Sequence, residues 1–95
     1  MAYRLRPSAE GDIYSIMSYI GQKNPRAALA WQDEIFRTFD LLADLPGIGI
    51  ERTIGRGKLL FFPKDGYLIF FRRSGRHIEI LRVLHGARDW GRLFR

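Results

Sequence analysis

Tyr67-Leu68-Ile69-Phe70-Phe71-Arg72-Arg73-Ser74-Gly75-Arg76-His77-Ile78-Glu79-Ile80-Leu81-Arg82-Val83-Leu84-His85 is the stretch that decides the fold. Two runs rich in β-branched and aromatic residues, 67–73 and 76–84, flank Ser74-Gly75, a dipeptide suited to a tight hairpin loop. Placing the loop there pairs Phe71 with Ile78, Ile69 with Ile80 and Tyr67 with Arg82 on one face. The other face then pairs Arg72 with His77, Phe70 with Glu79 and Leu68 with Leu81. The first set makes a plausible core. The second mixes apolar and charged side chains, the composition of an interaction surface.

Upstream, Pro63-Lys64-Asp65-Gly66 reads as a four-residue turn and residues 59–62, Leu-Leu-Phe-Phe, as a further strand. Glycines at 47, 49, 55 and 57 mark a loop before it. Gly55-Arg56-Gly57-Lys58 resembles a phosphate loop only superficially, because strands rather than a helix follow. Further back the period changes. Ala28, Trp31, Ile35, Phe39 and Leu42 recur close to helical spacing. Asn24-Pro25 opens that helix as cap and first-turn proline, and Leu45-Pro46-Gly47 ends it. Asp33, Glu34, Asp40 and Asp44 are its wet side, with no metal-ligand spacing.

An earlier apolar stripe, Ile13, Ile16, Met17 and Ile20, marks another helix. Ser8 is placed to cap it, Glu10 and Asp12 to favour its positive end, and Gly21 to close it. The few residues between the helices imply an antiparallel hairpin. Tyr3 and Leu5 alternate with Arg4 and Arg6 in a short opening strand stopped by Pro7. The expected fold is α+β: an N-terminal strand, a two-helix hairpin, then three antiparallel strands forming one sheet, and a short C-terminal helix or tail.

A length of 95 residues, with seven Phe, four Tyr and two Trp, suits a single domain over 1–95. The absence of cysteine excludes disulfides and thiolate zinc sites, and two histidines are too few for an ordinary metal centre. No metal and no cofactor is expected. The N-terminus has no apolar signal core and no run approaches membrane-spanning length, so the expectation is a cytoplasmic protein without membrane contact. Charge is uneven: residues 1–50 hold five basic and six acidic residues, whereas 51–95 hold eleven and four. The basic half suits an acidic partner, either nucleic acid or an acidic protein segment.

The order of elements and its decoration resemble the ParE/RelE toxin superfamily, and within it the ParE branch. The resemblance runs from Tyr3-Arg4-Leu5-Arg6-Pro7-Ser8-Ala9 and Asp12-Ile13 through Tyr19-Ile20, Ala27-Ala28 and Leu45-Pro46-Gly47-Ile48-Gly49. It is strongest at Tyr67-Leu68-Ile69-Phe70-Phe71-Arg72 and at residues 80–89, Ile-Leu-Arg-Val-Leu-His-Gly-Ala-Arg-Asp. One departure is that relatives often carry arginine where this chain has Leu59-Leu60-Phe61-Phe62.

The resemblance implies the toxin of a type II toxin–antitoxin pair. In the ParE branch such a toxin binds DNA gyrase and is neutralised by a ParD-like antitoxin, through which DNA is contacted indirectly. The RelE branch implies an alternative, a ribosome-dependent endoribonuclease cutting messenger RNA. That chemistry needs a base, an acid and cations. Arg82 could supply a cation and His85 could move a proton. Each also has a structural reading: Arg82 paired with a carboxylate such as Asp89, His85 capping a terminal helix. A complete nuclease set cannot be assembled, so a target-binding toxin is favoured over an enzyme. The expected target-binding residues are Arg82, His85, Arg88, Asp89, Trp90 and Arg92, with the basic, aromatic tail supplying binding anchors. The tail aromatics could equally tuck onto the sheet. The antitoxin is expected on Leu68, Phe70, Arg72 and Leu81 and on the helical hairpin.

Overall fold

The computed structural model describes residues 2–86, so the expected C-terminal helix or tail lies outside the described part. β1 (Tyr3–Leu5) leads into α1 (Pro7–Lys23) and α2 (Pro25–Asp44). After a 3-10 turn at Pro46–Ile48 come β2 (Ile50–Ile54), β3 (Gly57–Lys64), β4 (Tyr67–Ser74) and β5 (His77–His85). The class is α+β as read from the sequence, but four strands rather than three follow the helices. β2 occupies the stretch assigned to a glycine-rich loop, and the loop proper shrinks to Gly55-Arg56, since Ile54 pairs with Gly57. The sheet runs β1-β5-β4-β3-β2, with β1 parallel to β5 and the other neighbours antiparallel.

The helical hairpin turns on one residue. Asn24 ends α1 by donating its backbone N–H to the Ile20 carbonyl at 2.8 Å, and starts α2 by accepting from the Ala27 N–H through Oδ1 at 3.2 Å. The expected cap and first-turn proline are therefore in place. Gly21 does not close α1, which continues to Lys23. Ser8 does not cap it either: Pro7 holds the first helical position after Arg6, and no side chain caps that end.

Both helices cover one sheet face. Ala9 and Ile13 of α1 and Ile35, Phe39, Leu42 and Ala43 of α2 enclose the inward residues of β4 and β5: Ile69, Phe71, Ile78, Ile80 and Val83. The rings of Tyr3 and Phe39 meet edge-on at 5.3 Å, fastening the opening strand to α2. Burial raises the Tyr3 phenol above its ordinary value, helped by the charge of Asp40.

The β4–β5 register differs from the expected one. The loop is Gly75-Arg76, because Ser74 pairs with His77 and Gly75 takes the positive φ of 62° at the first loop position. Phe71 therefore faces Ile80 rather than Ile78. The next β4 residue, Phe70, faces Arg82, which leaves Leu81 as the extra residue of a β-bulge. Beyond the bulge Ile69 pairs with Val83, Leu68 with Leu84 and Tyr67 with His85. Arg82 is thus removed from the inward row and Val83 takes that place. The β3–β4 turn is likewise two residues rather than four: Asp65 and Gly66, at φ 51° and 84°, match the turn type that fits strand twist.

Gly49 sits where the chain passes over the core. A Cβ there would lie 2.5 Å from Phe71 Cζ and 3.2 Å from Leu60 Cβ, and Phe71 is fully buried. Gly49→Ala is expected to destabilise the fold by about 2 kcal/mol through overpacking. Urea unfolding checks this, and a midpoint unchanged from wild type would show that the ring yields freely.

Candidate functional site

Where β1 gives way to α1, helical side chains take over as the neighbours of β5. The Arg6 N–H still donates to the Ile80 carbonyl at 3.0 Å, as a strand would. Ser8 Oγ then donates to the Leu81 carbonyl at 2.8 Å. One helical turn on, Asp12 Oδ2 accepts the Val83 N–H at 2.9 Å. The spacing of four puts Ser8 and Asp12 on one face of α1, so both can serve the edge of β5. β1 stops pairing at Leu5, and these two side chains satisfy backbone groups of β5 beyond its reach.

Asp12 also holds Arg82 in a two-pronged contact, Nε to Oδ2 at 2.7 Å and an Nη to Oδ1 at 2.9 Å. The hydrogen bond to Asp12 raises the Arg82 pKa further above its already high ordinary value. The expected partner Asp89 lies outside the described residues; among them, Asp12 is the carboxylate that orients Arg82.

His85 closes β5, exposed, with its imidazole edge-on to Tyr67 at 5.6 Å. Tyr67 meets Trp31 of α2 in the same manner, also at 5.6 Å. Beside this column opens a cleft of about 550 Å³ lined by Asp12, Ser15, Tyr19, Tyr67 and His85, among others. The structure therefore places Arg82 and His85 near one cleft but commits the guanidinium to Asp12. Arg88, Asp89, Trp90 and Arg92 lie outside the described residues.

The sheet face away from the helices carries the other expected residues. Leu68 and Leu81 are half-buried and Arg72 is exposed, whereas Phe70 is only 1% exposed and offers a partner little area. Arg72 Nε donates to Glu79 Oε1 at 2.7 Å, and Arg6 approaches the same oxygen at 3.5 Å. The Arg72 hydrogen bond, joined by the charges of Arg72 and Arg6, holds the Glu79 carboxyl below its ordinary value despite opposing desolvation. A carboxyl whose pKa is depressed in the folded state stabilises above its unfolded pKa, and that contribution disappears as pH falls through the folded value. Stability should therefore decline on acidification from the ordinary carboxylate range downward, and Glu79→Gln should flatten that decline. Thermal melts of both proteins from neutral to acid pH check it; parallel curves would show that Glu79 contributes nothing.

Sequence reasoning missed Ser8 and Asp12 as supports of β5. Their spacing of four residues on a helix was a visible signal, but their partner lies about 70 residues away in the chain. It also missed Tyr19, whose hydroxyl accepts from Lys23 at 3.1 Å beside the cleft.

A strand, a helical hairpin and an antiparallel meander that returns its last strand beside the first define the α+β fold, and comparison with known proteins gives the family. Residues 3–90 match the family described as ParE toxin of type II toxin–antitoxin system, parDE. The chain belongs to that family, and is the toxin member of a type II toxin–antitoxin system. A solved structure described as the chromosomal ParDE TA system from P. aeruginosa shares the fold, with a TM-score of 0.75 and 21% identity. It covers 90% of this chain and 95% of the other. No curated protein matches the chain by sequence. Among the described residues no helix is long and apolar enough to cross a membrane.

Proposed function

We propose that this toxin acts by binding DNA gyrase, without bond chemistry of its own, and is neutralised by a ParD-like antitoxin. The observation that carries the non-catalytic reading is the commitment of Arg82. Cleaving RNA needs a cation free to meet the phosphate, and two of the Arg82 donor groups already bond Asp12. The target-binding elements in this reading are His85 at the cleft mouth and the tail residues Arg88, Asp89, Trp90 and Arg92, with Arg82 as a positioning residue. The chain 1–95 acts as one domain, in the cytoplasm where gyrase works.

The antitoxin in this reading brings an acidic, amphipathic segment that folds as it binds. Leu68, Leu81 and Arg72 offer it a mixed sheet surface. The helical hairpin adds exposed apolar side chains, with Tyr14 at 75% and Leu29 at 59% exposure.

A supercoiling assay with purified gyrase tests the target. Loss of supercoiling on adding the toxin, restored by the co-encoded antitoxin, is the expected result. Intact gyrase activity together with site-specific message cuts on translating ribosomes, abolished in His85→Ala, would replace this reading with the ribonuclease one.

A further inference from the structure

We propose that the end of the sheet bearing the β2–β3 and β4–β5 loops contacts the sugar–phosphate backbone of B-form DNA directly, besides any contact made through an antitoxin. Successive antiparallel strands reverse direction, so these two loops emerge at one end of the sheet and the Asp65-Gly66 turn at the other. Each loop is a glycine followed by an arginine, Gly55-Arg56 and Gly75-Arg76, with both glycines at positive φ. The glycine closes the hairpin and the arginine stands exposed at its tip. Arg73 lies just before the second loop. Arg4 joins the same end, because β1 runs parallel to β5 and starts beside Ile78.

These four arginines are exposed and form no ion pair among the described residues. The neighbouring carboxylates are already engaged, Glu51 by Lys58 at 3.4 Å and Glu79 by Arg72 and Arg6. Unneutralised guanidiniums gathered at one end of the sheet suit an anionic partner, and their planar fork matches a phosphate.

Three features favour duplex DNA among anionic partners. The loops are two strand spacings apart, about 10 Å, comparable with a B-form major groove of about 12 Å, so the tips can reach phosphates on both its sides. The described exposed tyrosines, Tyr14 and Tyr19, are on α1 and not on these loops, so the loops present no aromatic platform for unpaired bases. The tips also carry no large apolar side chain to anchor a protein partner.

The test uses the full-length toxin without antitoxin and a short fluorescent B-form duplex, with anisotropy measured across about 50 to 200 mM salt. Each lost phosphate contact should reduce the steepness of the log-affinity against log-salt line by about 0.9. The Arg56→Ala/Arg76→Ala variant should therefore flatten it by roughly two and bind at least about tenfold more weakly at low salt. Arg4→Ala, on a different strand of the same end, should flatten it by roughly one. Lys23→Ala/Arg26→Ala removes equal charge beside the Asn24 turn and should leave the line unchanged.

Equal losses in this control would reduce the effect to net charge and overturn the proposal. An unaltered line in the loop variant would do the same, as would tighter binding to an RNA duplex or to polyglutamate. Because naked DNA is the probe, failure here leaves the gyrase assay unaffected, and failure there leaves this measurement standing.

Discussion

Asp12→Ala should lower the unfolding free energy by about 3 kcal/mol, enough to bring the melting temperature down by roughly 15 °C in a domain of this size. The carboxylate does two things at once. It balances Arg82 and it accepts the Val83 N–H. Its side chain is 14% exposed and that of Arg82 27%, so water reaches neither fully. Removing the acid leaves a half-buried cation and an unpaired backbone donor, and both penalties exceed the modest value of the bonds themselves. Asp12→Asn keeps an acceptor for Val83 and should lose less. Asp12→Ala/Arg82→Met removes both charges and should recover part of the loss. Calorimetry of the four proteins checks this. A melting temperature within a few degrees of wild type for Asp12→Ala would reduce the pair to a surface contact, and Arg82 would again be a free cation for catalysis.

Deleting residues 90–95 is expected to abolish growth arrest while the antitoxin still copurifies. The described helices, strands and buried apolar residues all end before Trp90, the last of the buried set being Leu84. The elements proposed for the antitoxin likewise precede the deletion. Trp90, Arg92, Phe94 and Arg95 concentrate the residue types that anchor protein interfaces. Reversing charge at Arg88 and Arg92 should act in the same direction if the target surface is acidic. Induction of the lone truncated toxin, paired with pull-down of the complex, reads both halves. A truncated protein that is insoluble would assign the tail to the fold. One that is soluble and fully toxic would place the target site elsewhere.

The elements were legible in the sequence because each carries its own period. Ala28 to Leu42 repeats at helical spacing, residues 67–84 carry a strand pattern around a glycine, and Asn24-Pro25 announces the second helix. β2 was not read, although Ile50, Arg52 and Ile54 are β-branched or long and alternate with Glu51 and Thr53. Glycines crowd both its ends and made the segment read as loop. The hairpin register failed for two local reasons. Ser74-Gly75 and Gly75-Arg76 are both acceptable loops by composition, and the choice follows from which position takes positive φ. A bulge leaves little trace in a pattern of apolar residues, so the displacement of Arg82 from the inward row was hidden. At the candidate site the expected register set Tyr67 opposite Arg82, so its pairing with His85 was hidden by the same bulge. The Asp12 contact was hidden too, since nothing local links a helical aspartate to an arginine about 70 residues away.

The strand order also governs when a newly made chain can become a toxin. β5 is synthesised after every other described element, yet it lies between β1 and β4. Until it leaves the ribosome, β1 has no strand partner, and Ser8 and Asp12 have nothing to hold. The inward faces of α2 and β4 lack the side chains that complete their core. A chain whose keystone arrives last remains unfolded through most of its translation, and contacts of such long sequence separation also form slowly. The order of synthesis thus postpones the finished toxin until β5 has emerged and taken its place between β1 and β4.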